Sequence, residues 1–218
     1  MIRASILVVD DHPIFAKGLS DLLESQAGYT ILGTAKNCTE ALEILQAKRP
    51  DLAIVDLTLG DEDGLTLIKE MKEIYADLKI LVLSMHEERY YAERALRKGA
   101  RGYIMKEEAI SNIFEAIKTI LAGKIWLSVS ERERLFESMS TGDFLQKKEA
   151  GFATVNSLST RQLQIFKMIG KGGGTAFIAE KLNLSPKTVD THKEQIKLKL
   201  HCATAQELRQ FAIEWVNN

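Results

Sequence analysis

Short apolar runs alternate with helical segments along the first 122 residues of the chain. The runs are rich in Ile, Val and Leu and have strand length, so they predict strands at residues 5–9, 29–35, 52–55, 80–83 and 102–105. Between them, apolar residues recur every three or four positions and predict helices at residues 14–25, 39–48, 65–75, 90–98 and 110–121. This alternation predicts an α/β fold, a doubly wound five-stranded parallel sheet with functional residues at the carboxyl ends of its strands.

From residue 158 onward the pattern is wholly helical, and it predicts helices at residues 160–169, 175–182, 186–200 and 204–215. Ser159 and Thr175 are predicted N-caps, and Ser185 followed by Pro186 is a strong start signal for the third of these helices. Asn183 is predicted to end the second helix, so a short break joins the two helices as in a helix-turn-helix.

The connection between these two patterns is charged and contains scattered apolar residues. It is too long for a loop inside one compact domain, so a domain boundary is expected there. We therefore predict a sheet domain at residues 1–123, a linker with a helix at residues 124–156, and a small all-α domain at residues 157–218.

Composition is that of an ordinary folded protein, with 45% hydrophobic and 27% charged residues among 218. Runs of 18 apolar residues are absent, and the N-terminal segment lacks the features of a signal peptide. We therefore expect a cytoplasmic protein without a membrane partner. Cys38 and Cys202 lie in different halves and form no Cys/His cluster, which argues against a disulfide scaffold and a zinc finger.

Charge is distributed unevenly between the two predicted domains. Residues 1–156 carry 20 Lys and Arg against 25 Asp and Glu, a net charge of −5, whereas residues 157–218 carry 9 against 5, a net charge of +4. A basic C-terminal part suggests a partner with phosphates, although a difference of this size can also arise by chance.

Charged and hydroxyl side chains follow four of the predicted strands. Asp10 and Asp11 follow the first strand, Asp56 the third, Ser84 the fourth and Lys106 the fifth. Each alone has an ordinary explanation as a cap or a solvated loop residue, but together they predict one pocket at the carboxyl edge of the sheet. Carboxylates held close together favour the binding of Mg²⁺. The cation, the Lys106 ammonium and the Ser84 hydroxyl would together bind a phosphoryl group that is transferred to Asp56 as the nucleophile.

Four segments of the first half, ILVVDDH, DLAIVDL, LVLSMHE and KGARGYIMK, resemble the receiver domain of two-component response regulators. The resemblance implies that Asp56 accepts the phosphoryl group and that Asp10, Asp11 and the Leu57 carbonyl bind Mg²⁺ beside it. It also implies a phosphate-binding Lys106 and a switch pair, Ser84 and Tyr103.

The C-terminal part resembles the LuxR-type DNA-binding domain through LS-x-R at 158–161, IAEKL-x-LS at 178–185 and SPKTVDTH at 185–192. Together with the receiver, this is the arrangement of NarL/FixJ-family transcriptional regulators. The helix that opens at Ser185 would be the recognition helix in the major groove. The resemblance implies DNA contacts from one face of it: Lys187, Thr188, Thr191, His192, Glu194 and Lys197. For His192, a packed or hydrogen-bonded structural role is the commoner one in an apolar neighbourhood, and a phosphate contact is the alternative.

Several positions depart from the common family pattern. Gly60 and Glu107 stand where many receivers have Pro, and Gln162 stands where an acidic residue is usual. The glycine turn at residues 172–174 and Phe177 replace a more polar sequence. These departures bear on the lifetime of the phosphoryl group and on DNA preference, while every group needed for the chemistry is present.

The favoured hypothesis is a transcription factor that a sensor histidine kinase phosphorylates at Asp56 and that binds DNA as a homodimer. The predicted dimer surface consists of four residues on the last helix: Leu208, Phe211, Ala212 and Trp215. The alternative is that these residues close the core of their own domain. One competing hypothesis is a phosphorylation-independent regulator that uses the receiver as a dimerisation scaffold. Another is a Mg²⁺-dependent phosphohydrolase, which is disfavoured because Thr58 stands where such enzymes carry a general acid. We therefore expect no turnover enzyme.

Overall fold

The computed structural model describes residues 3–60, 62–140 and 155–217. The chain divides into two compact units, Met1–Ser138 and Met139–Asn218. Within the part of the chain that is described, no helix is long and apolar enough to cross a membrane.

The first unit is built on a parallel sheet with the strand order β2-β1-β3-β6-β7. A small antiparallel hairpin, β4–β5, follows the third strand. The strands are β1 (Ala4–Val9), β2 (Tyr29–Ala35), β3 (Leu52–Val55), β4 (Thr58–Leu59), β5 (Glu62–Asp63), β6 (Lys79–Ser84) and β7 (Gly102–Met105). The predicted doubly wound sheet is confirmed, whereas the hairpin was not predicted because two-residue strands show no periodicity.

Helices cover both faces of this sheet, as expected for parallel strands joined by crossovers. They are α1 (Pro13–Glu24), α2 (Cys38–Ala47), α3 (Gly64–Ile74), α4 (Glu88–Lys98) and α5 (Ala109–Leu121). A sixth helix, α6 (Val129–Ser140), follows them in the chain. Alternate residues of the central strands, such as Val8, Ile54 and Leu81, pack with α1 and α5 into one buried cluster. The helix predicted within the linker at residues 124–156 is present as α6, and positions 141–154 lie outside the described residues.

The second unit consists of α7 (Thr160–Gly170), α8 (Thr175–Leu182), α9 (Pro186–Leu200) and α10 (Ala205–Asn217). Ser159 caps α7 as predicted, and Gln162 completes a capping box by bonding back to the Ser159 amide. Gln162 can therefore replace the usual acidic residue, because an amide oxygen also accepts that bond. Ser185 caps α9 through the Thr188 amide, and Asn183 ends α8 in the left-handed conformation at φ +52°.

The prediction that Thr175 caps α8 is wrong. Gly174 is the N-cap, and Thr175 is already the first helical residue. Its hydroxyl therefore points to α9, where it donates to Asp190 at 3.1 Å and accepts from the Lys193 ammonium at 2.5 Å. The side chain joins the two helices of the helix-turn-helix instead of capping one of them.

Two of the four residues predicted as a dimer surface on the last helix are buried in the core of the second unit, and the other two are half-buried. Leu208 and Ala212 are 2% and 0% exposed. Phe211 and Trp215 each pack their rings 5.6 Å from the buried ring of Phe166 on α7. An apolar stripe on a terminal helix fits both roles in a sequence, and here the alternative role, closing the domain core, is the one that the structure shows.

Candidate functional site

The register of the sheet brings two carboxylates side by side. Val9 is paired with Val55 at the ends of β1 and β3, so the next residues, Asp10 and Asp56, lie at the same edge. The Asp56 amide donates to the Val9 carbonyl at 2.9 Å and fixes this arrangement. Both carboxylates are only 4% exposed, so they need a nearby cation.

Lys106, the first residue after β7, supplies that cation. Its ammonium lies 2.6 Å from Asp10 Oδ2 and 2.7 Å from Asp56 Oδ2, and its side chain is 6% exposed. The ammonium also lies 4.5 Å from the centre of the Phe15 ring. Burial raises the pKa of the Asp56 carboxyl, while Lys106 opposes that rise. The charge on the Asp56 carboxylate therefore depends on a neighbouring cation.

A third carboxylate and an imidazole complete the acidic pocket. Asp11 Oδ2 accepts a hydrogen bond from the Gly60 amide at 2.8 Å, and Asp11 Oδ1 lies 2.7 Å from His12 Nδ1. One donor atom from each of Asp10, Asp11, His12 and Asp56 can be chosen so that all lie within 4.8 Å of one another. Such a donor set fits a divalent cation, because hard cations take carboxylate oxygens.

Two further residues that the sequence analysis named, Leu57 and Gly60, lie on the backbone that follows Asp56. The Leu57 carbonyl accepts from the Gly64 amide at 3.0 Å, which leaves its second lone pair for another ligand. Gly60 has a positive φ of +62° in the β4–β5 hairpin, a conformation that proline cannot adopt. Its amide is also the donor to Asp11, so the glycine makes a contact that the usual proline could not make.

The predicted switch residues meet at one loop residue that the sequence did not single out. Ser84 and Tyr103 are fully buried. The Ser84 hydroxyl accepts from the His86 amide at 3.4 Å, and the Tyr103 hydroxyl donates to the His86 carbonyl at 2.8 Å. The His86 ring lies 2.9 Å from the Thr58 hydroxyl and stacks on Tyr91 of α4 at 4.6 Å. His86 thus connects the switch pair with the loop after Asp56 and with α4.

The start of the linker is bonded to the same region. The Trp126 carbonyl accepts from the Tyr103 amide at 3.1 Å, so the backbone at Trp126 continues the sheet beside β7. Two residues later, the Ser128 amide donates to the Glu88 carboxylate at 3.0 Å. Because Glu88 is the first residue of α4, both contacts lie close to the switch pair.

The predicted recognition helix, α9, presents a polar face. Among the residues implied to contact DNA, Lys187, Thr191 and Glu194 are exposed. Val189, Ile196 and Leu200, which recur at helical spacing, are buried on the opposite side. An exposed helix on a basic domain has the dimensions and charge to enter the major groove of DNA.

The other three implied contacts are less accessible than the resemblance suggested. They are half-buried: Thr188, His192 and Lys197. The Thr188 hydroxyl lies 2.8 Å from the Ser185 hydroxyl at the helix start, and the Lys197 ammonium lies 2.8 Å from Glu194. Thr188 and Lys197 are therefore already in contact with neighbouring polar side chains.

Two family models match this chain. The model described as response regulator receiver domain matches residues 6–118. The model described as bacterial regulatory proteins, luxR family, matches residues 156–212. Together they include the acidic pocket, the switch pair and the helix-turn-helix.

Relatives and solved structures agree with both matches. The oxygen regulatory protein NreC of Staphylococcus haemolyticus is 32% identical over 214 residues, which cover 96% of each chain. RcsB from Salmonella enterica serovar Typhimurium, bound to promoter rprA in the presence of the phosphomimetic BeF3-, is 25% identical with a TM-score of 0.58, and the match covers 97% of this chain and 98% of that one. A structure of two RcsB dimers bound to two parallel DNAs is 26% identical with a TM-score of 0.57, covering 96% and 97%.

Proposed function

The chain belongs to the LuxR family of two-component response regulators, and we propose that phosphorylation of Asp56 controls how its second unit binds DNA. Membership makes it a DNA-binding transcriptional regulator with a receiver domain. The observation that carries the choice of Asp56 is its position: the carboxylate lies 2.7 Å from the Lys106 ammonium, beside two further carboxylates and at the end of a central strand.

Receiver domains bind Mg²⁺ through an acidic pocket, and in this chain the residues that would hold it are Asp10, Asp11, Asp56 and the Leu57 carbonyl. When bound, the cation neutralises charge on the phosphoryl oxygens. The geometry supports a division of labour in which Lys106 binds another phosphoryl oxygen and Ser84 donates its hydroxyl to a third.

The proposed donor is a phosphorylated histidine of a sensor kinase. An ionised Asp56 oxygen attacks phosphorus, a new O–P bond forms, and the P–N bond breaks with its electron pair remaining on the imidazole nitrogen. Burial raises the pKa of the Asp56 carboxyl, and Lys106 favours its ionised form by opposing that rise.

Phosphorylation would change the contacts that meet at His86. Once Ser84 binds the phosphoryl group, its hydroxyl no longer accepts from the His86 amide in the same way. The Tyr103 hydroxyl is bonded to the carbonyl of the same residue, so the segment that leads into α4 changes with it. We propose that the linker responds through Trp126 and Ser128.

In the second unit, we propose that α9 enters the major groove and that Lys187, Thr191 and Glu194 reach DNA first, since they are exposed. We also propose a homodimer on DNA, because two half-sites increase specificity and the RcsB structures named above contain dimers on DNA.

We further propose that the chain is a regulator and not an enzyme. Thr58 cannot serve as the acid of a phosphohydrolase, and its hydroxyl is engaged with His86.

The first test measures intact mass after incubation with Mg²⁺ and a small phosphodonor. We expect the wild type to gain one phosphoryl group and Asp56→Asn to gain none. Duplexes selected from a random-sequence library then report DNA affinity by fluorescence anisotropy, and phosphorylation should tighten binding by the wild type only. Equal DNA binding with and without the phosphoryl group would instead support the phosphorylation-independent regulator. Continuous release of phosphate from the donor over many turnovers would support the phosphohydrolase.

A further inference from the structure

His12, directly after the two acidic residues of β1, turns its ring into the acidic pocket. We propose that His12 is a ligand of the metal site and makes it bind borderline transition ions, with Co²⁺ as the probe, far more tightly than carboxylates alone would. This inference rests on the proposed function of the pocket as a divalent-cation site, and it adds a nitrogen donor to that site.

The position of the imidazole nitrogen fits a place in a coordination sphere. His12 Nδ1 lies 2.7 Å from Asp11 Oδ1 and 3.3 Å from Asp10 Oδ1. In an octahedral site with metal–ligand distances of about 2.1 Å, neighbouring donors are about 3.0 Å apart. The two observed separations lie on either side of that value, so an ion can contact the His12 nitrogen together with either oxygen after shifts of a few tenths of an ångström. The donor atoms of the whole group lie within 4.8 Å of one another.

Lys106 contacts different carboxylate oxygens from those that face His12. Its ammonium contacts the Oδ2 atoms of Asp10 and Asp56, whereas His12 faces the Oδ1 atoms of Asp10 and Asp11. An ion beside His12 therefore binds different oxygens from those that Lys106 binds. It does not need to displace the ammonium from its two carboxylates.

The backbone holds His12 in place while its side chain stays accessible. The His12 amide donates to Asp10 Oδ1 at 2.9 Å, and the His12 carbonyl accepts from the Ala16 amide at 3.0 Å in the first turn of α1. The ring makes no capping bond to the helix and is 66% exposed. It therefore stands at the mouth of the pocket, where an ion arriving from water meets it.

The chemistry of the donors decides which ions gain from this arrangement. Mg²⁺ prefers oxygen donors and keeps several waters, so a nitrogen ligand adds little to its affinity. Imidazole suits first-row transition ions, whose affinity for mixed nitrogen and oxygen sites rises from Mn²⁺ through Co²⁺ to Cu²⁺. His12 thus raises the affinity for Co²⁺ much more than that for Mg²⁺.

The test compares Co²⁺ and Mg²⁺ binding by the full chain and by His12→Asn. Asn is a good N-cap and offers an oxygen donor, so α1 and an all-oxygen site are both retained. We expect Co²⁺ affinity, measured by visible absorption, to fall at least about tenfold in His12→Asn while Mg²⁺ affinity, measured by competition, changes by less than about twofold. Contact-shifted imidazole proton resonances should appear in Co²⁺-loaded wild type and be absent from the variant.

Two further variants separate the possible failures. His201→Asn removes an exposed imidazole from the second unit and should change neither affinity. Equal Co²⁺ affinity in the wild type and His12→Asn, with Asp11→Asn abolishing binding of both ions, would overturn the role of His12 and leave the carboxylate site intact. Unchanged binding of both ions in Asp11→Asn would instead overturn the proposed metal site itself.

Discussion

Replacing Lys106 by Met tests whether the two buried carboxylates depend on that one cation for their stability. Met retains an unbranched side chain that can still pack on the Phe15 ring. The variant removes both short contacts of the ammonium, to Asp10 and to Asp56, and leaves two carboxylates that are each 4% exposed.

The expected loss follows from the distance between the two carboxylates. Asp10 Oδ2 and Asp56 Oδ2 lie within 2.7 Å of the same nitrogen, so they are at most about 5.4 Å apart. Two unit charges at that separation repel by about 3 kcal/mol at an effective dielectric constant of about 20. This agrees with the 3–5 kcal/mol typically lost when one partner of a buried ion pair is removed. We therefore expect Lys106→Met to lower the free energy of unfolding by about 3 kcal/mol near pH 7.

The pH dependence of that loss has a definite sign. Burial raises the pKa of Asp56 above its ordinary value of 3.8, and removing Lys106 removes an effect that opposes the rise. A carboxyl with a raised folded-state pKa holds a proton when folded at pH values where the unfolded chain has released it. Stability is therefore present below about pH 4 and is lost as the pH rises through the folded-state pKa. The difference between variant and wild type should shrink on acidification.

The assay is urea denaturation followed by Trp fluorescence in a Trp215→Phe background, so that Trp126 alone reports the first unit. Measurements near pH 7 and near pH 4.5, with chelator and then with Mg²⁺, give the loss and its dependence on charge. Lys17→Met is the matched control, since the Lys17–Asp21 pair is exposed and should contribute almost nothing. A Lys106→Met variant within about 0.5 kcal/mol of the wild type, or an equal loss at both pH values, would refute the reasoning.

Two other substitutions test packing and the linker. Gly170→Ala places a Cβ 2.4 Å from the Ala212 carbonyl oxygen and should destabilise the second unit by about 1–3 kcal/mol in thermal unfolding. Gly18→Ala, in the interior of α1 with nothing within 4 Å of its Cβ, should not destabilise the first unit, and equal effects would contradict the close packing of α7 and α10. Glu88→Ala should speed hydrogen exchange of the Ser128 amide about fivefold, whereas Glu88→Gln keeps an acceptor; unchanged exchange in Glu88→Ala would contradict this contact.

The elements of the first unit could be predicted because each is a long run with a clear period. Predicted and observed strand and helix ends agree within two residues, from β1 to α5. The β4–β5 hairpin was missed, although it carries the Gly60 contact to Asp11. Strands of two residues have no alternation to detect, and the hairpin is held by contacts to residues distant in sequence.

At the candidate site, residues that directly follow strands could be predicted from the sequence. Residues whose role depends on the direction of the side chain could not. Asp10, Asp56 and Lys106 were predicted to share one pocket because the ends of parallel strands meet at one edge, and they do lie together. His12 and His86 were not predicted, since one histidine in a loop gives no pattern. The direction in which each ring points is set only by the folded backbone.

Under the proposed function, the contacts around His86 provide a route by which a change at Asp56 reaches the linker. Two buried side chains, Ser84 and Tyr103, bind the main-chain amide and carbonyl of His86, so its position depends on both. Glu88 follows two residues later, and its carboxylate accepts a hydrogen bond from the Ser128 amide, directly before the linker helix α6. A phosphoryl group that binds the Ser84 hydroxyl therefore alters one of the two side-chain contacts to the His86 backbone. The same segment contacts the linker through Glu88. Exchange of the Ser128 amide is the measurement closest to that step, and a response there to phosphorylation would be abolished by Asp56→Asn.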